Sequence, residues 1–107
     1  MKTKVFCLTL GLVGAFATAQ AADDLVAKGK EIVVAKKCSI CHAIDGKGGK
    51  IGKPMNGLAE GKTEDYLKGA LLDPKKNIAP DTKMPSYKDK LTDEEIGAVI
   101  AYLKSLK

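Results

Sequence analysis

The clearest periodicity in the chain lies near its C-terminus. Ile96, Val99, Ile100, Leu103 and Leu106 recur at three- and four-residue spacing, one apolar stripe along a helix. Thr92-Asp93-Glu94-Glu95 precedes the stripe and reads as a capping box, in which hydroxyl and carboxylate each satisfy the other's backbone donor. The pattern predicts a helix from Thr92 to about Leu106. A second helix is predicted over Asp23–Lys37. Asp23 or Asp24 suits its positive end, and Leu25, Gly29, Ile32, Val33 and Lys36 share one face. Glycine at mid-helix costs about 1 kcal/mol against alanine, so Gly29 points to a close approach by another part of the chain. A shorter helix is predicted over Thr63–Leu72. Thr63 caps it, Glu64 and Asp65 occupy its first turn, and Leu67, Ala70 and Leu71 face inward. Asp73-Pro74 ends it, because the residue before proline disfavours the helical region.

Ala43–Gly61 and Lys75–Lys90 read as loops. The first holds Gly46, Gly48, Gly49, Gly52, Gly57 and Gly61 together with Pro54, and shows no strand alternation. These glycines neither follow a strand nor open a helix, so they match no phosphate-binding motif. A loop folding closely over a flat ligand is the expectation. No repeats, linkers or strands emerge, and the fold class is all-α.

The N-terminus reads as an address. Met1–Lys4 carries two lysines, Val5–Ala17 is apolar apart from Thr9, and Ala19-Gln20-Ala21 supplies the small residues of a cleavage site. The apolar run is too short to span a bilayer, which takes roughly 18 residues or more. Residues 1–21 are therefore predicted to be a cleaved secretory signal and residues 22–107 a single exported domain, periplasmic in location.

Composition sharpens this picture. At 107 residues, 45% apolar and 29% charged, the chain is one ordinary globular domain at most. It has no Trp, and both phenylalanines, Phe6 and Phe16, lie in the predicted leader. Tyr66, Tyr87 and Tyr102 are left. A core so small and so poor in aromatics is marginal, and something other than polypeptide is expected to fill the middle. All 18 basic residues are lysine. Outside the leader, 16 of them face 13 acids, a weak excess without the arginines that nucleic-acid binding favours. A lysine surface for docking acidic proteins remains.

Removing the leader removes Cys7. Cys38 and Cys41 remain, in Cys38-Ser39-Ile40-Cys41-His42, and His42 is the one histidine of the sequence. A structural zinc site needs four ligands and this motif offers three. A redox dithiol should follow a strand of a βαβ unit, and a lone disulfide across two residues would stabilise little. The reading left is C-x-x-C-H, covalent haem attachment through two thioethers with the imidazole on the iron. For the opposite axial position the chain outside the leader offers Met55 and Met84. Met84 lies in a loop far along the sequence from His42, with Pro85 stiffening its exit, and is the predicted ligand. Met55 is predicted to be core filling.

With these residues in place, the chain from Leu25 to Leu106 resembles the class I monohaem c-type cytochromes. The likeness rests on Gly29-x-x-Ile32 ahead of the C-x-x-C-H motif, on Gly52-Lys53-Pro54 and Leu58, on Lys83-Met84-Pro85, and on Leu91-Thr92-Asp93-Glu94-Glu95 leading to Ala101-Tyr102-Leu103. The resemblance implies a small cytochrome c fold in which the N- and C-terminal helices cross, with Gly29 beside Tyr102. It implies that the Pro54 carbonyl holds the far nitrogen of His42. Val33 stands where many relatives place an aromatic. The functional expectation is a monomeric one-electron carrier, not an enzyme. It would hold one haem c through Cys38 and Cys41, ligate its iron by His42 and Met84, and dock redox proteins transiently at a haem edge ringed by Lys47, Lys50, Lys53, Lys83 and Lys88. A small haem peroxidase or gas sensor with a labile Met84 is the alternative, and lacks a distal His or Arg. A thiol or metal module on Cys38 and Cys41 is a third reading.

Overall fold

The computed structural model describes residues 21–107; the predicted leader, with Cys7, lies outside the described residues up to position 20. Helix α1 covers residues 21–35, α2 covers Glu64–Leu72, α3 covers Pro74–Asn77 and α4 covers Asp93–Ser105. A one-turn 3₁₀ helix, Cys38–Ile40, follows α1. The described residues contain no regular strand, only an isolated bridge between Ile44 and Lys47.

The crossing of α1 over α4 organises the domain. Gly29 is buried, and a Cβ there would overlap the Ala98 carbonyl oxygen and come within 2.8 Å of the Tyr102 Cβ. Two helix backbones thus touch at Gly29, as its position mid-helix requires. The face of α1 differs in part from the sequence expectation. Leu25 is 42% exposed and Val26 packs on the core in its place, ahead of Gly29 and fully buried Val33. Val26, Gly29 and Val33 follow the i, i+3, i+7 ridge that meets α4. Lys36 lies in solvent.

Helix α4 contributes Ile96, Ala98, Val99, Ile100, Tyr102 and Leu103 to the interior. Its capping box is complete: the Thr92 hydroxyl accepts from the Glu95 N–H at 3.2 Å, and the Glu95 carboxylate accepts from the Thr92 N–H at 2.9 Å. Helix α2 packs Leu67 and Leu71 against this wall, and the Thr63 hydroxyl caps it by accepting from the Tyr66 N–H. Asp73-Pro74 does end α2, but it also opens α3. Pro74 sits in the first turn, where no N–H is needed, and the Asp73 carboxylate accepts from the Lys76 N–H. Asn77 then ties the two helices by donating to the carbonyls of Gly69 and Asp73.

Candidate haem-attachment site

Both cysteines stand on one short turn. Lys37, in the left-handed region at φ 58°, breaks α1 and starts the 3₁₀ helix. The N–H groups of Cys41 and His42 both donate to the Cys38 carbonyl, at 3.2 and 3.0 Å. Residues three apart in a 3₁₀ turn eclipse one another, so Cys38 and Cys41 share a side. Neither forms a disulfide.

The glycine loop folds back on this turn. The Gly49 N–H donates to Ser39, Gly52 to Cys41 and Met55 to Ala43, each at 2.8 Å. Between them Asp45, at φ 51°, and Gly46, at φ 81°, make a tight hairpin whose ends, Ile44 and Lys47, exchange both backbone bonds. Asp-Gly at its centre is the strongest short-range sequence sign of such a turn, and the strand-free reading of this loop passed over it. The hairpin is pinned from outside: Asn56 accepts from the Asp45 N–H at 2.7 Å and donates to the Asp45 carboxylate at 2.8 Å. The glycines are there for proximity. A Cβ at Gly49 would collide with the Ile40 carbonyl, and one at Gly52 would collide with the His42 ring. The close approach is to the C-x-x-C-H turn itself.

His42 Nδ1 donates to the carbonyl of Lys53 at 2.6 Å. The expectation had been Pro54. Gly52 lies flat against the ring, so the next carbonyl along the chain is the one within reach, and that belongs to Lys53. Pro54 lies one peptide further on. The bond fixes the tautomer with Nε2 bare, the state a metal ligand needs. Beside Cys38, Ile32, Lys36, Leu71, Tyr87, Leu91 and Val99 line a small recess. Burial pushes the Cys38 thiol up, the neighbouring Tyr87 hydroxyl partly offsetting it. Burial also pushes Tyr87 up. A protonated, half-buried thiol is the reverse of the low-pKa thiolate that redox cysteines use. Among the described residues, no group of three or more His, Cys, Asp or Glu side chains could hold a metal ion. Two unpaired cysteines on one side of a turn and a histidine with Nε2 free fit a covalently bound haem.

A family model described as cytochrome c matches residues 26–107. The chain belongs to the cytochrome c family. The described fold, all helix and loop, agrees with that membership. A cytochrome c domain binds haem c covalently and uses it for electron transfer. The cytochrome is also 28% identical over 93 residues to a protein named cytochrome c oxidase subunit 2 from Alkalihalophilus pseudofirmus, a match that covers 79% of this chain. The cytochrome spans about a quarter of that relative's length, 27%.

The two methionines take different places in the cytochrome. Met55 is 5% exposed and belongs to the core. Met84 is half-buried, packed against the core from the loop between α3 and α4, its N–H donating to the Thr82 hydroxyl at 3.3 Å. Lys47, Lys50, Lys53, Lys83 and Lys88 are all exposed. Among the described residues no helix is long and apolar enough to cross a membrane.

Proposed function

We propose that this cytochrome is an exported, periplasmic one-electron carrier and not an enzyme. Residues 1–21 are its cleaved leader, and residues 22–107 form a monomeric domain holding one haem c through thioethers at Cys38 and Cys41. When bound, the haem iron supplies a ferric/ferrous couple. His42 and Met84 would hold its iron. The observation that carries this reading is the hydrogen bond from His42 Nδ1 to the Lys53 carbonyl, on the same turn as the two cysteines. It orients Nε2 and raises the basicity of the ring. Met84 is the partly buried methionine in a loop, whereas Met55 is already committed to the core. A thioether donor raises the potential relative to nitrogen, and two filled positions leave no vacancy for substrate. Redox proteins dock transiently at the lysine-bearing haem edge, in contacts below about 1,200 Å².

The test is a visible spectrum of the exported protein, oxidised and reduced, with its mass. The expected result is haem retained after acid–acetone extraction, a mass equal to residues from Ala22 plus one haem, and a weak far-red band from a thioether on ferric iron. Rapid carbon monoxide binding by the ferrous wild type at neutral pH would show an open position. It would replace the carrier with the sensor or peroxidase.

A further inference from the structure

The sequence holds a single Asn-Gly pair, Asn56-Gly57. Asparagine is a thermolabile residue, most of all before glycine, where no side chain hinders the next backbone nitrogen. The reaction is internal. The Gly57 nitrogen attacks the side-chain carbonyl carbon of Asn56, ammonia leaves, and a cyclic imide forms. Water then opens the ring to aspartate or isoaspartate, so the balance is one water taken up and one ammonia released.

The fold calls for both residues. Gly57 stands at φ 78°, a conformation that glycine adopts freely and other residues resist. Asn56, half-buried, is the side chain that pins the Asp45-Gly46 hairpin. Its Oδ1 accepts from the Asp45 N–H at 2.7 Å, and its Nδ2 donates to the Asp45 carboxylate at 2.8 Å and to the Lys107 main-chain oxygen at 3.4 Å. Two of these contacts need donor hydrogens, which an ionised aspartate lacks.

The same contacts keep the labile pair closed. The Gly57 N–H donates to the Leu106 carbonyl at 3.1 Å. A nitrogen so bonded keeps its proton, and the attack needs that proton gone. The Asn56 amide, held by Asp45 and Lys107, cannot swing over the Gly57 nitrogen without breaking those bonds. Both reacting groups are thus restrained by residues 106 and 107, which follow α4. Aspartate in place of Asn56 would set a carboxylate against the Asp45 carboxylate and the Lys107 oxygen, with no hydrogen between them. Like charges at this range repel, and the hairpin would lose its pin.

We propose that Asn56 is a site of spontaneous deamidation, closed in the folded cytochrome by the two residues after α4, and that its conversion to a carboxylate unpins the Asp45-Gly46 hairpin. The reaction's co-reactant is water, and it is independent of which groups ligate the iron.

The test incubates the haem-loaded cytochrome in warm, mildly alkaline buffer and follows the peptide containing Asn56 by mass, with an enzymatic assay for isoaspartate. A free peptide of residues 52–60 sets the unrestrained rate. Wild type should react at least about tenfold more slowly than the peptide, because it reacts only when locally open. Deleting residues 106 and 107 should raise the rate about fivefold or more, and deleting Lys107 alone less than about threefold. Asp45→Gly releases the amide without touching residues 106 and 107, and glycine keeps the left-handed turn; it should raise the rate about threefold or more. Circular dichroism certifies the fold of each form. In freshly made protein, Asn56→Asp should lower the urea midpoint, and Asp45→Asn added to it should restore roughly half of the loss by returning one amide to face one carboxylate. A wild type as fast as the peptide overturns the proposal. So do a shortened form and an Asp45→Gly form both as slow as wild type, or an Asn56→Asp form as resistant to urea as wild type.

Discussion

A methyl group on Gly52 would occupy the space of the His42 imidazole, with the ring Nδ1 2.6 Å from the new carbon. The ring is hydrogen-bonded at its edge to the Lys53 carbonyl, and moving aside would cost that bond. Gly52→Ala should therefore disturb His42, the proposed iron ligand, while leaving the cysteines in place. Overpacking of this kind costs about 1–3 kcal/mol. The expected outcome is a cytochrome with full covalent haem, a lowered urea midpoint and faster carbon monoxide binding to the ferrous form. An unchanged midpoint and carbon monoxide rate would show that the ring moves aside freely. Met84→Ala should lose the far-red band and admit carbon monoxide, and Met55→Leu should keep the band. Met55 fills core, where a volume-conserving exchange costs less than about 1.5 kcal/mol. At this scale the sequence was informative about residue types and less so about register. Cys38, Cys41 and His42 could be singled out because covalent haem chemistry needs those types at that spacing, and the structure brings both cysteines and His42 onto one turn. The carbonyl beneath His42 was assigned one residue too far, since spacing alone does not say which peptide the glycine brings to the ring.

At the scale of elements, the capping box of α4 was readable outright, because four consecutive residues contain both reciprocal bonds. It also carries a pH dependence. The Glu95 carboxyl is held below its ordinary value of 4.5, mainly by the bond from the Thr92 backbone, with Lys36 and Lys28 helping. A carboxylate depressed on folding contributes stability above its unfolded pKa and loses it as pH falls through the folded one. The stability gap between wild type and Glu95→Gln should thus be widest above about pH 5 and shrink toward pH 3. Urea unfolding at several pH values reads this, and a gap that grows on acidification contradicts it. Thr92→Ala should cost about 0.5–2 kcal/mol. Gly29→Ala sets two effects against each other. Alanine favours the helix by about 1 kcal/mol, but its methyl meets the Ala98 carbonyl and the Tyr102 Cβ, which the backbone of α4 holds in place. The clash should win, with net destabilisation by urea titration. Helix α3 was missed because Asp-Pro was read only as a stop. Asparagine and aspartate caps let the same dipeptide start a new helix.

The whole domain keeps few large side chains fully from solvent. Ile96 and Val33 are the largest such residues, and three tyrosines are the only aromatics outside residues 1–21. Ordering a chain costs roughly 1–2 kcal/mol per residue, and this interior is small to offset it. Protein made with Cys38→Ala and Cys41→Ala, and so without covalent haem, should be largely unfolded by circular dichroism. A cooperative melt of that protein would refute the dependence. The sequence shows how few aromatics the core can hold, because they can be counted. It could not show where the missing volume belongs, which depends on how the glycine loop turns back over the attachment site.

The contact of α1 with α4 at Gly29 joins the two ends of the domain. Once those ends are clasped, the length of chain between them enters the free energy only logarithmically, each doubling of a loop costing about 0.6 kcal/mol. The turn at Gly61, where an added side chain would meet nothing within 4 Å, has room to lengthen, whereas Gly49 and Gly52, against the Ile40 carbonyl and the His42 ring, have none. Descendants of this sequence can therefore vary freely in size at one turn and remain fixed at the other. A history of insertions and deletions should be written at open turns such as Gly61 and should spare Gly49 and Gly52.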